Sequence, residues 1–120
     1  MGINALIVDD EEEIGLILKI ILNKKGMKVD IAHDLSKARS LLNNNGYQVI
    51  FLDLNLPDGT GFELIEKLNS DNSSANIIIL SAFDGWNEKN KARDLGVDIF
   101  IGKPFSKKEI LESLAELNLT

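Results

Sequence analysis

The chain has 120 residues, a formal net charge of −6 at pH 7 and no cysteine. This length is typical of one domain with a buried core. The absence of cysteine excludes disulfides, thiol catalysis and zinc–cysteine sites, and the acidic charge argues against direct nucleic-acid binding, which needs a basic patch. No apolar run approaches the roughly 20 residues of a membrane span. The N-terminus has no signal-peptide pattern, so we expect a cytoplasmic protein.

The first apolar run, Ala5–Val8, leads directly into Asp9 and Asp10. A continuous run of this length is typical of a strand buried on both faces, as in a parallel sheet. Helical spacing follows and stops at Lys25-Gly26, with an apolar stripe on Ile14, Ile17, Leu18, Ile21 and Leu22. Considered alone, the two aspartates are compatible with capping this helix, because carboxylates accept hydrogen bonds from its free N–H groups.

Val29–Ala32 predicts a second strand, and the helix after it ends in an asparagine-rich stretch that contains Gly46. The apolar stripe of this helix is Leu35, Ala38, Leu41 and Leu42. His33, the only histidine, follows the strand. A lone histidine is more often a surface or capping residue, and we do not predict phosphorylation there.

The third run, Val49–Leu52, leads directly into Asp53, and a helix opens after Gly59-Thr60-Gly61. Parallel strands end together at one edge of a sheet, where open α/β sheets bind ligands. Asp53 is therefore expected beside Asp9 and Asp10. Three converging acids repel one another unless a cation neutralises them, so this edge is a predicted metal site.

The fourth strand, Ile77–Leu80, ends at Ser81. The helix after it, around Asn87–Leu95, has only two apolar positions for a stripe, so we expect it to be the most loosely anchored. Phe83 and Trp86 flank the loop between strand and helix. They either shield the ligand-binding edge or pack the fourth helix, and packing is the favoured interpretation.

The fifth strand, Ile99–Ile101, is followed by Lys103, and the last helix opens on a capping box of Ser106 and Glu109. Strands alternating with helices predict an α/β fold. We expect a (βα)5 chain in a single domain, residues 1–120, with a doubly wound sheet of five parallel strands.

Three carboxylates, a hydroxyl and an ammonium are thus expected at one edge of the sheet. This set suits phosphoryl transfer to a carboxylate: the carboxylate attacks, a divalent cation neutralises charge and donors hold the transferred oxygens. Mg²⁺ fits best, because it favours oxygen ligands and few direct carboxylates.

Four segments, in this order, resemble the receiver domain of bacterial two-component response regulators, which has a flavodoxin-like fold. They are Leu6–Glu11, Leu52–Gly61, Ser81-Ala82 and Lys103-Pro104-Phe105. The resemblance covers essentially the whole chain. It implies that Asp53 accepts a phosphoryl group from a phosphohistidine of a sensor histidine kinase or a histidine phosphotransfer protein.

The resemblance also implies a ligand set for Mg²⁺. Asp10 would bind the ion directly and Asp9 largely through water. Asp53 and the backbone carbonyl of Asn55 would complete the protein ligands.

Further roles follow from the same resemblance. Lys103 would pair with the phosphoryl group, Ser81 would donate a hydrogen bond to it, and the Lys103–Pro104 bond would be cis. Phe100 stands where receivers carry an aromatic switch residue, although a core aromatic is an equally weighted interpretation. When Ser81 moves toward the phosphoryl group, the ring would swing inward and reshape the face formed by the fourth helix, fifth strand and fifth helix. With no DNA-binding module in the sequence, output would pass to a protein partner or a second copy.

Three other functions compete with this one. A magnesium-dependent phosphatase of the haloacid dehalogenase type needs a general-acid aspartate where this chain has Asn55, and it needs a cap. An FMN binder needs a phosphate-cradling loop after the first strand, where this chain has acids. An inert receiver used as a docking scaffold is disfavoured by the full acceptor set. We therefore expect no enzyme activity beyond self-directed phosphoryl transfer and autodephosphorylation.

Overall fold

The computed structural model describes residues 2–97 and 99–119, which form one sheet of five parallel strands with five helices. The strands are β1 (Asn4–Val8), β2 (Lys28–Ala32), β3 (Val49–Leu52), β4 (Asn76–Ser81) and β5 (Ile99–Gly102). The helices are α1 (Glu12–Lys24), α2 (Leu35–Asn44), α3 (Gly61–Ser70), α4 (Trp86–Asp94) and α5 (Lys107–Glu116). None of these helices is long and apolar enough to cross a membrane. The predicted (βα)5 fold is confirmed.

The strand order places the ends of β1 and β3 side by side. The order across the sheet is β2-β1-β3-β4-β5, and every neighbouring pair is parallel. Val8, the last residue of β1, pairs with Leu52, the last residue of β3. The chain order reverses between these two strands, and ligands bind at such a reversal in open α/β sheets.

The central strands are buried on both faces, which explains their continuous apolar runs. Leu6 and Val8 of β1 join the core under α2, α3 and α4, whereas Ala5 and Ile7 join the core under α1 and α5. All four side chains are fully buried. Burial of a large aliphatic side chain contributes about 1.5–3 kcal/mol, so the two cores hold the end of β1 in a fixed position.

Helix α4 is the most weakly anchored helix, as the sequence predicts. Ala92 is its only buried side chain. The expectation that Trp86 packs this helix is wrong, because its side chain is 79% exposed, and Phe83 is 54% exposed. Trp86 is the first residue of α4, and at 100° per residue it lies about 120° around the helix from Ala92. Its side chain therefore faces away from the core.

A short hairpin connects β3 to α3, where the dipeptide Asp58-Gly59 predicts a turn but not the two strands beside it. Asn55–Leu56 pairs with Gly59–Thr60 in an antiparallel arrangement. At the tip, Asp58 accepts hydrogen bonds from the backbone N–H groups of Leu35 at 2.8 Å and Ser36 at 3.0 Å. These bonds, with the one from Leu35 foremost, hold the pKa of Asp58 below its usual range. The segment after β3 is thereby tied to the N-terminus of α2.

Substitution Asp58→Asn removes the charge and one of the two acceptor oxygens that bind the N–H groups of Leu35 and Ser36, so it tests this connection between the hairpin and α2. Because the pKa of Asp58 is lower in the folded chain, its carboxylate stabilises the fold above the unfolded-state pKa of about 3.9. That contribution disappears as the pH falls through the folded-state pKa. We expect wild type to be more stable than the variant in urea unfolding at pH 7, with the difference narrowing below about pH 4.

Glu66→Gln is the matched control, because Glu66 is an exposed carboxylate on α3. Two results would contradict a stabilising role for the Asp58 carboxylate. One is a stability difference between wild type and Asp58→Asn that stays constant with pH, and the other is the same difference in Glu66→Gln.

Candidate functional site

Three carboxylates converge where β1 and β3 end. Asp9, Asp10 and Asp53 each offer an oxygen atom, and these atoms lie within 4.8 Å of one another. The backbone N–H of Asp9 donates to Ala32 at 3.0 Å, and that of Asp53 donates to Val8 at 2.9 Å. These bonds continue the strand ladders beyond β1 and β3 and fix the position of both residues. Asp9 and Asp53 are buried, whereas Asp10 is exposed.

Lys103 completes the cluster from the end of β5. Its Nζ lies 2.8 Å from Asp9 Oδ2 and 3.1 Å from Asp53 Oδ2, and its side chain is only 9% exposed. Burial alone would lower the pKa of Lys103, but the pairing with Asp9 and Asp53 outweighs it and raises that pKa. The lysine therefore remains a cation at neutral pH. The Lys103–Pro104 bond is cis, as the resemblance implies.

The surroundings of Asp9 disfavour the charged form of its carboxylate. Burial raises its pKa, although Lys103 and the Glu11 N–H oppose the change. Asp9 Oδ1 accepts a hydrogen bond from Glu11 N at 2.9 Å. Asp9 Oδ2 is buried and forms an ion pair with Lys103 Nζ at 2.8 Å. One ammonium faces three carboxylates here, so negative charge remains in excess, and a divalent cation in the acid cluster would offset it.

Asn55 and Gly61 both lie against Asp53. The backbone N–H of Asn55 donates to Asp53 Oδ1 at 3.3 Å. Gly61, the first residue of α3, packs so closely that a Cβ there would collide with the backbone oxygen of Asp53. The start of α3 is thus fitted against the Asp53 backbone, which explains the glycine.

Ser81 and Phe100 lie on neighbouring strands beside this cluster. Ser81 is fully buried, and its Oγ accepts a hydrogen bond from the Phe83 N–H at 3.1 Å. Within residues 2–97 and 99–119, its hydroxyl makes no hydrogen bond to Asp53 or Lys103. Phe100 is half-buried and packs against the core on the α2–α3–α4 side. The structure therefore brings the predicted phosphoryl-binding hydroxyl to the same edge of the sheet as the three carboxylates.

Two contacts of the site were missed by the sequence analysis. Glu11 Oε2 lies 3.8 Å from Lys103 Nζ, but Glu11 is 59% exposed and solvent screens this pair. His33 Nδ1 lies 2.9 Å from the backbone oxygen of Asp9 and donates to it in the Nδ1–H tautomer. His33 is exposed, as expected, and its position after β2 places it beside Asp9 because β2 pairs with β1.

Comparison with known proteins decides the family. Residues 5–115 match the family model of the response regulator receiver domain. The chain belongs to this family. The match confirms the resemblance that the four sequence motifs indicate, and it gives no support to the haloacid dehalogenase alternative.

Relatives and solved structures agree with this assignment. The chain is 32% identical over 113 residues to the virulence transcriptional regulatory protein PhoP of Salmonella typhimurium, covering 94% of this chain and 50% of PhoP. It spans about half the length of the transcriptional regulators that it matches. The non-phosphorylated HemR receiver domain of Leptospira biflexa has a TM-score of 0.90 and 34% identity, covering 97% of this chain and 94% of that one.

A further neighbour is a response regulator of Burkholderia pseudomallei. Its structure has a TM-score of 0.86 and 28% identity to this chain, and the match covers 98% of this chain and 71% of that one. It is described as containing a phosphorylated aspartic acid, a calcium ion and citrate.

Substitution Gly61→Ala tests the close packing of α3 against Asp53. The added methyl group would displace the Asp53 backbone, so we expect a loss of about 1–3 kcal/mol in the free energy of unfolding, as for other overpacked sites. Amide chemical shifts should change at residues 52–55. Gly46→Ala is the control, since nothing lies within 4 Å of a Cβ at Gly46, and its effect should stay within about 0.5 kcal/mol. Equal effects of the two variants would contradict the account.

Proposed function

We propose that this receiver domain is a phosphorylation-dependent signalling switch in which Asp53 is the phosphoacceptor. The observation that carries the proposal is the buried pairing of Asp53 with Lys103 at 3.1 Å, beside two further carboxylates. The phosphorylated aspartic acid described for the Burkholderia relative supports it. The donor would be a phosphohistidine on a sensor histidine kinase or a histidine phosphotransfer protein.

In the proposed reaction, a carboxylate oxygen of Asp53 attacks the phosphorus atom of the phosphohistidine. An O–P bond forms as the P–N bond breaks, and the departing imidazole nitrogen takes a proton from solvent. Lys103, already 3.1 Å from Asp53 Oδ2, would pair with the transferred phosphoryl oxygens, and Ser81 would donate a hydrogen bond to them. Water later hydrolyses the acyl phosphate, which releases inorganic phosphate and restores the carboxylate. The chain would thus modify itself and not a foreign substrate.

The proposed cofactor is Mg²⁺, held by Asp9, Asp10, Asp53 and the backbone carbonyl of Asn55. The convergence of three carboxylates on a single ammonium supports a divalent cation here. When bound, Mg²⁺ would neutralise negative charge on the carboxylates and the phosphoryl group. Oxygen-only ligands favour Mg²⁺ over softer metals.

Output would pass through the α4–β5–α5 face. Ser81 would exchange its bond to the Phe83 N–H for one to the phosphoryl group, and Phe100 would move into the space it leaves. Because few buried contacts hold α4, the α4–β5–α5 face is the part of the domain whose conformation changes most easily. It would then bind a downstream protein or a second copy of the chain in the cytoplasm, without direct contact to nucleic acid.

Incubation with acetyl phosphate and Mg²⁺, followed by intact-mass analysis, tests the acceptor. We expect one phosphoryl adduct on wild type and none on Asp53→Asn. EDTA or Asp10→Asn should suppress the adduct, because the metal would be lost. Asp58→Asn is the control variant, since Asp58 lies five residues away in the same segment and contacts α2.

An adduct that persists in Asp53→Asn would contradict the assignment of the acceptor. Failure of wild type to form any adduct, with acetyl phosphate or with a phosphorylated donor protein, would favour the docking-scaffold alternative.

A further inference from the structure

Two lysines of α4 lie over aromatic rings on neighbouring elements. Lys89 Nζ is 5.9 Å from the centroid of the Phe100 ring on β5, and Lys91 Nζ is 4.6 Å from the centroid of the Phe62 ring on α3. Both distances fall within the range in which an ammonium is attracted to the face of a ring. Because Ala92 is the only buried side chain of α4, these contacts add to an otherwise weak attachment.

The two contacts lie on opposite flanks of the helix. Residues two apart are separated by about 200° around an α-helix, so Lys91 faces α3 while Lys89 faces β5. Phe62 is a buried member of the core, whereas Phe100 is only half-buried. Lys91 therefore contacts a fixed ring, and Lys89 contacts the ring that the proposed switch would move.

We propose that Lys89 is a positioning residue for the switch, holding Phe100 in its outward position. The inference rests on the proposed function, since it assumes that Phe100 moves inward on phosphorylation. In this structure Ser81 Oγ accepts the hydrogen bond of the Phe83 N–H, and the half-buried Phe100 ring lies under the Lys89 ammonium, an arrangement that we assign to the outward state. An inward ring would leave the Lys89 ammonium, so the contact stabilises only the outward state. A contact made in one of two states shifts the equilibrium toward that state.

The residue type at position 100 makes such a contact consequential. Phenylalanine has no hydroxyl, so hydrogen bonding cannot select either ring position. Packing and the ammonium–ring contact then determine the equilibrium between the outward and inward positions of the Phe100 ring. For an exposed contact of this kind, loss of the ammonium should shift the balance about two- to fivefold toward the inward state.

The test titrates the protein with beryllium fluoride in the presence of Mg²⁺ as a phosphoryl mimic. Nuclear magnetic resonance would follow the site amides and the ring signals of Phe100. We expect Lys89→Gln to reach half-saturation at a two- to fivefold lower concentration than wild type. Its Phe100 signals, before any mimic is added, should already be displaced toward the saturated position. Lys89→Arg keeps the cation and should behave like wild type.

Lys91→Gln is the matched control, because it removes an ammonium from the same helix but from a ring that does not move. Similar titrations for Lys89→Gln and wild type, or equal tightening by Lys89→Gln and Lys91→Gln, would overturn the inference. Failure of wild type to bind the mimic, or to move Phe100 on binding it, would instead overturn the proposed function.

Discussion

Lys103 places its ammonium between the two buried carboxylates of the site. The 2.8 Å and 3.1 Å contacts to Asp9 and Asp53 offset part of the repulsion that strand topology imposes, because β1 and β3 end side by side. Removing one member of a buried ion pair costs about 3–5 kcal/mol, so the lysine is held tightly. In the proposed reaction, the same ammonium is available to a phosphoryl group on Asp53.

Strands β4 and β5 link the acid cluster to the surface of the domain at α4. Ser81 ends β4 next to β5, which carries Phe100 on its core side and Lys103 just beyond its end. Phe100 in turn contacts Lys89 of α4, the helix with the fewest buried side chains. In the proposed switch, a small movement of Ser81 would pass through Phe100 to this weakly anchored helix.

Sequence patterns predicted most of the fold because the central strands are apolar on both faces, and parallel strands must end at one edge. Asp9, Asp10, Asp53 and Lys103 were therefore predicted together from their positions after strands, and the structure brings them together. After β3 the dipeptide Asp58-Gly59 predicts a turn, but the two-residue strands of the hairpin leave no periodic signal. The orientation of Trp86 was misjudged because the first residue of α4 could not be located from a helix with so weak an apolar stripe.

The measurement that tests the central claim most directly is chemical trapping of the phosphorylated residue. Borohydride reduces an aspartyl phosphate to homoserine, and peptide sequencing by mass spectrometry then locates the changed residue. After treatment with acetyl phosphate and Mg²⁺, the account predicts homoserine at position 53 and unmodified aspartate at Asp9 and Asp10. Homoserine at either of those residues, or a borohydride-resistant phosphoryl group on Ser81 or His33, would contradict it.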